Sequence, residues 1–167
     1  MTAPIHIRQT TAADQAALNQ LFGDSYPVLL APDYPAERLD QALPLITRAN
    51  PALLTSGSYF VAVTGDGPPL AAGGWTAASP HRPEPLGTGH IRHVVTHPQA
   101  TRRGLAAAIL RSCFDQARTA GMQRLVALST RTAVPFYSAM GFKRDCDEII
   151  QMSPEVSFPA VRMQRVL

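Results

Sequence analysis

Between Gly89 and Leu110 the chain runs strand, short basic turn, helix, and no other stretch narrows its choice of folds as much. Ile91 to Thr96 is rich in β-branched residues and bounded by Gly89 and Pro98, the pattern of a short buried strand. Gly104 to Ala117 sets Leu105, Ala108 and Ile109 on one stripe among alanines, which predicts a helix. The turn between them is Ala100-Thr-Arg-Arg-Gly104. The first N–H groups of a helix lack intrahelical acceptors and carry part of a positive charge, so an anion can be held there by backbone alone. Gly104 and Ala106 keep bulk away, and Arg102 and Arg103 add charge, which suits a pyrophosphate; a solvated basic surface is the plainer reading of the bare turn. Neither Gly-x-x-x-x-Gly-Lys-Ser/Thr nor Gly-x-Gly-x-x-Gly is present.

The flanking segments read as alternating elements. Ile5-His-Ile-Arg8 alternates apolar and polar, as in an opening strand. Thr10, Thr11 and Asp14 offer caps for a helix whose face is Ala17, Leu18, Leu21 and Phe22, closed by Gly23. The prolines between Asp24 and Pro35 predict a loop, and Leu39, Leu43 and Ile46 a second helix over 36–46 that Pro44 kinks or ends. Tyr59-Phe-Val-Ala-Val-Thr64 and Leu70-Ala-Ala-Gly-Gly-Trp-Thr76 read as a hairpin, with Gly73-Gly74 marking a bulge or a close backbone approach. Ala77 to Thr88 is a loop. Leu125 to Ser129 is a continuous apolar run, a strand covered on both faces that would join the motif strand by a right-handed parallel crossover. A helix over Thr132 to Met140 carries Pro135 in its first turn and ends at Gly141, and strands over 142–152 and 156–165 close the chain.

A length of 167 residues, 46% of them hydrophobic, is enough for one domain with a substantial core. The net charge of +3 comes almost wholly from arginine, Lys143 being the sole lysine, and the arginines are dispersed, which argues against a nucleic-acid partner. Cys113 and Cys146 have no ligand-like spacing and read as isolated core thiols. No long apolar run or secretory pattern appears, so neither a membrane nor an export route is expected, and the protein is placed in the cytoplasm. The histidines lack a metal-ligand spacing, so no metal is expected.

Thr101-Arg102-Arg103-Gly104-Leu105-Ala106, behind Thr96-His97-Pro98, resembles the Gln/Arg-x-x-Gly-x-Gly/Ala motif that follows a Val-x-Pro strand end in the GNAT superfamily of acyl-CoA-dependent N-acyltransferases. Ala133-Val-Pro-Phe-Tyr-Ser-Ala-Met-Gly-Phe142 is similar to a second motif of that superfamily, Ala-x-x-Phe-Tyr-x-x-x-Gly-Phe. Thr101 and Thr96 depart from the usual residues, at places where the family's contacts are chiefly main-chain N–H groups. The resemblance implies an α/β GNAT fold over 1–167: a mixed central sheet of about seven strands, helices on both faces, and a splayed parallel pair that includes the fourth, motif strand.

It also implies acetyl-CoA as cosubstrate. Val94, Val95 and Thr96 would lie along its arm, Thr101, Arg102, Arg103, Gly104, Leu105 and Ala106 at its diphosphate, and Phe136 beside it. Tyr137 matches the tyrosine that protonates the leaving thiolate; without the family, Phe136-Tyr137 is an aromatic pair packing a helix. Many relatives carry a glutamate base where this chain has Arg92, which cannot take a proton at neutral pH. His90 shares a strand face with Arg92 and titrates near neutrality, so it is the best substitute, while His93 counts onto the other face; a base that is water alone stays open. Arg92 would pair with an acidic group of the amine acceptor, a small molecule or peptide, and Tyr26, Asp33, Tyr34 and Trp75 are further acceptor contacts, for each of which core packing is the plainer reading. Relatives often form homodimers. The rival function is a non-enzymatic acyl-CoA sensor or scaffold that has lost its glutamate, against which the intact Tyr137 motif speaks.

Overall fold

Seven strands form one mixed sheet in the computed structural model, which describes residues 3–167. They are β1 (Ile5–Gln9), β2 (Tyr59–Thr64), β3 (Ala71–Thr76), β4 (Thr88–Thr96), β5 (Arg124–Ser129), β6 (Lys143–Gln151) and β7 (Ser157–Val166), in the order β1-β2-β3-β4-β5-β7-β6. Every neighbouring pair is antiparallel except β4 and β5, which the helix α4 (Leu105–Thr119) joins as a crossover. This is the GNAT-type sheet expected from the motifs.

Strand alternation divides the apolar side chains between two cores. Phe60, Ala62, Trp75 and Ile91 pack with Ile109, Leu110 and Phe114 of α4 and with Tyr137 of α5 (Val134–Ala139). Tyr59, Val61, Val63 and Val95 pack on the other face with α1 (Gln15–Leu30), α2 (Ala36–Ile46) and the single turn α3 (Pro51–Leu54).

The sheet opens in its middle. β4 and β5 are laddered only from Thr88–Arg124 to His90–Val126; beyond that point β5 stays with β7 as far as Ser129–Val161, while β4 stays with β3. A bulge accompanies the parting. Gly74 pairs with Arg92 and Ala72 with Val95, so Gly73 alone faces His93 and Val94, and such an inserted residue bends its strand. His93 takes the left-handed conformation at φ 43°, and the Tyr59 hydroxyl donates to its carbonyl at 2.7 Å. The Gly73-Gly74 pair serves both expected purposes. Gly73 lies against Val94 and Ile109, where an added Cβ would stand 3.0 and 3.1 Å from their Cγ2 atoms, and a Cβ on Gly74 would run into the Ser58 carbonyl and the Tyr59 ring.

Three expectations need correction. α1 does not close at Gly23 but continues to Leu30, because Leu18, Leu21, Phe22, Ser25, Tyr26 and Leu30 keep one buried stripe across it. Pro27 removes only one hydrogen bond of that helix, so the loop shrinks to 31–35. The lead-in to β2 holds α3, whose cap is Asn50 Oδ1 accepting from the Ala52 amide at 3.0 Å. Of the two thiols only Cys113 is buried; Cys146 is exposed on β6.

Two glycine substitutions report these findings with opposite sign. Gly74→Ala forces backbone apart and lowers stability by about 2–3 kcal/mol. Gly23→Ala, in a helix interior with no atom near the new methyl, raises it by about 0.5–1 kcal/mol. Urea denaturation of the two variants measures both.

Candidate active site

Where β4 and β5 part, a cleft of about 1200 Å3 passes between the two faces of the sheet. One wall is the β4 segment from His90 to Thr96 and the other is Val126 to Thr130. The His97 amide donates to the Leu70 carbonyl at 2.8 Å, on the β3 side. By strand alternation the Val95 amide points the same way, which turns those of Val94 and Thr96 toward the cleft.

One end of the cleft is the start of α4. Ala108 is the first residue of that helix to donate within it, to the Gly104 carbonyl at 3.0 Å, so the amides of Leu105, Ala106 and Ala107 have no intrahelical acceptor. No side chain caps them. Gly104 is left-handed at φ 76°, with open space where a Cβ would stand, and Arg102 is left-handed at φ 63°. Arg102, Gly104, Leu105 and Ala106 line the cleft with Thr101. Uncapped amides, an open glycine and an arginine suit the diphosphate of coenzyme A.

The other end is polar but mostly uncharged. Tyr137 from α5 and Tyr26 from α1 reach the cleft from opposite faces of the sheet, and neither hydroxyl makes a hydrogen bond among the described residues. Burial holds the Tyr137 phenol well above its usual pKa of 10, and Tyr26 adds to the effect. His90 is buried with an Nε2 that meets no partner among the described residues. Its pKa is lowered, chiefly by burial, with Arg162, Arg92 and His81 adding and Glu84 opposing. Arg92 stands two residues on, on the same face, with Nη1 3.3 Å from Thr76 Oγ1. His93 joins them rather than facing away. The bulge resets the alternation, so its ring stacks on Phe22 of α1 at 5.8 Å, and burial pushes its pKa down to about 4.

The comparisons with known proteins fit this geometry. The acetyltransferase (GNAT) domain matches residues 31–164, most of the chain. The chain belongs to the GNAT acetyltransferase family. It is an acyltransferase enzyme of that fold. No protein of curated function matches its sequence. A GCN5-related N-acetyltransferase from Rhodopseudomonas palustris superposes with a TM-score of 0.79 at 19% identity, over 100% of this chain and 98% of that one. PaiA N-acetyltransferase from Thermoplasma acidophilum, solved with coenzyme A, gives 0.75 at 13% identity over 98% and 99%. N-acetylglutamate synthase from Neisseria gonorrhoeae, solved with coenzyme A and N-acetylglutamate, gives 0.61 at 18% identity, over 100% of this chain but 36% of that one. At these identities the likeness is one of fold.

The GNAT cleft gathers Tyr26, His90, Arg92, Val94, Val95, Thr96, Thr101, Arg102, Gly104, Leu105, Ala106, Phe136 and Tyr137. Arg103 is exposed beside it and is not part of its lining. Trp75 is buried in the α4 core, its Nε1 donating to Gln116 Oε1 at 2.7 Å. Tyr34 is a buried clip: it stacks on Phe158, donates to the Pro159 carbonyl and accepts from the Arg131 amide, both at 2.8 Å. Asp33 accepts from the Thr132 hydroxyl at 2.6 Å. Trp75, Tyr34 and Asp33 are thus engaged by the chain itself, outside the cleft. The lining also holds residues the motifs did not point to, notably Ile150, Gln151 and Met152 at the tip of the β6–β7 hairpin and His81 from the 77–87 loop. Their segments carry no signal beyond strand and loop. Among the described residues no cluster of metal-ligating side chains occurs, and no helix is long and apolar enough to cross a membrane.

Ala106→Asp separates anion capture from helix stability. A carboxylate in the first turn suits the helix dipole, so thermal stability without ligand holds or rises, whereas affinity for coenzyme A falls at least about tenfold. Calorimetric titration beside a thermal melt reads both.

Proposed function

We propose that this enzyme moves an acetyl group from acetyl-CoA to an amine by direct attack within a ternary complex. The observation that carries the reading is one continuous cleft that joins the uncapped start of α4 to the Tyr137 hydroxyl and the unpartnered His90 nitrogen. Acetyl-CoA supplies the thioester; the chain's own residues supply position, polarity and protons. The amides of Leu105, Ala106 and Ala107, with Arg102, hold the diphosphate. The Val94 amide, which strand alternation turns to the cleft, would polarise the thioester carbonyl.

Tyr137 is the general acid. Its raised pKa keeps it protonated throughout the working range, and a thiolate leaving against the same apolar wall is itself a stronger base than in water, so the proton can pass to sulfur as the bond breaks. His90 is the base. Burial and the neighbouring cations favour its neutral form, able to take a proton from the acceptor's ammonium, directly or through water, so that the free amine attacks the thioester carbonyl. Direct transfer is favoured over an acyl-enzyme because neither Cys113 nor Cys146 lines the cleft, and the Ser129 hydroxyl is tied to the Thr130 carbonyl at 2.6 Å. One sheet running from β1 to β7 supports reading the whole chain as a single domain.

Thiol release with acetyl-CoA across a panel of primary amines tests the proposal. Tyr137→Phe is expected to lower kcat at least about tenfold while acetyl-CoA affinity holds; an unchanged kcat removes Tyr137 from the chemistry. The pH profile tests the base. A neutral His90 is needed, and burial lowers its pKa, so kcat/KM rises with pH on an acid limb that lies below that of an ordinary imidazole. His90→Gln loses the acid limb together with at least about tenfold in rate.

A further inference from the structure

Two arginines lie close to the polar end of the cleft, and the chain treats them differently. Arg162 on β7 is paired with two carboxylates: Nη1 and Nη2 donate to the two carboxylate oxygens of Glu84 at 2.7 and 3.0 Å, and Nε donates to Asp145 at 3.2 Å. Arg92 is half-buried and lines the cleft, yet its one hydrogen bond goes to the neutral Thr76 hydroxyl, and no carboxylate among the described residues pairs with it. Glu84 is engaged by Arg162 and Arg82 and Asp145 by Arg162, while Glu148, whose Oε2 is buried without a hydrogen bond, lies 3.5 Å from Arg82 and forms no ion pair with Arg92. His81, His90, His93 and the Tyr59 phenol, whose pKa burial raises, are the other titratable groups beside Arg92 and bring no negative charge. A desolvated guanidinium with free donors is unfavourable unless an anion completes it.

We infer that Arg92 receives the carboxylate of the acceptor, so that the amine acetylated by this enzyme belongs to an amino acid or a similarly compact amino-carboxylic acid. The inference rests on the acetyl-transfer reading above and deepens it. The guanidinium fork matches a carboxylate in bidentate geometry. A dianionic phosphoryl group would call for a second free cation, and Arg92 is the one unpaired arginine lining this end of the cleft; Arg102 stands at the start of α4. Spacing sets the size of the acceptor. Residues two apart on one strand face are separated by about 6.6 Å, so a carboxylate on Arg92 and an amine within reach of His90 belong to a molecule with only a few bonds between the two groups. The 77–87 loop, held down by the Glu84–Arg162 pair, brings Pro80 and His81 into the cleft lining.

Matched acceptors test this. Thiol release is measured with acetyl-CoA and each of a set of amino acids, beside the carboxamide of the same amino acid, for the wild-type enzyme, Arg92→Gln and Arg92→Lys. Acetyl-CoA binding is followed by calorimetry on every protein. The expected result is a kcat/KM at least about tenfold higher for the best acids than for their amides, with Arg92→Gln bringing the pair within about threefold by raising KM for the acid and Arg92→Lys falling between. Amides that match or exceed their acids in the wild type overturn the inference while leaving acetyl transfer in place. So does a loss in Arg92→Gln that is equal for both members of each pair. Absence of thiol release with every acid and amide, with acetyl-CoA binding intact, overturns the acetyl-transfer reading and this inference together.

Discussion

The ladder between β4 and β5 ends after His90 and Val126, and the rest of the molecule is arranged to keep it from closing. Buried backbone N–H and C=O groups that face one another across a sheet normally pair. Here β5 is held away by its full register with β7, and β4 by its register with β3 and by a bulge at His93 and Val94 that the Tyr59 hydroxyl pins. The glycines of β3 allow that bulge to sit tightly against α4 and β2. Main-chain groups of β4 are thereby left open along a cleft that also meets the uncapped start of α4.

The polar end shows a separation of charge. Arg82 pairs with Glu148 and Arg162 with Glu84, which fastens the 77–87 loop to β6 and β7, and the groups lining this end of the cleft are phenols whose pKa burial raises and imidazoles whose pKa burial lowers. Arg92 is the exception, a half-buried cation whose hydrogen bond goes to the Thr76 hydroxyl and which no carboxylate among the described residues pairs with.

Much of this was legible in the chain. The strand-turn-helix at Gly89–Leu110, the parallel crossover, the hairpin and the final pair of strands follow from local periodicity and turn residues, and two short motifs carried the fold and most of the cleft wall. The misread elements have physical causes. Gly23 and Pro27 are breakers by propensity, but the buried stripe through Ser25, Tyr26 and Leu30 outweighed them. His93 was counted onto the wrong face because a bulge shifts alternation by one residue and leaves a trace only on the partner strand, at Gly73. Tyr34 and Trp75 carry polar atoms that suit a substrate and equally suit an internal clip, and only their partners, Pro159, Arg131 and Gln116, decide between the two. The contribution of the β6–β7 tip depends on long-range contacts that no local pattern encodes.

The central claim is that main-chain amides, opened by the parting of two strands and by an uncapped helix, hold the acyl donor. The most direct measurement is a titration of the nitrogen-15-labelled protein with coenzyme A, followed amide by amide in the NMR spectrum. The account predicts saturable shifts, with one common dissociation constant, concentrated at Leu105, Ala106, Ala107, Val94 and Thr96. Shifts scattered over exposed arginines with no saturation, or none at these five amides, would contradict it.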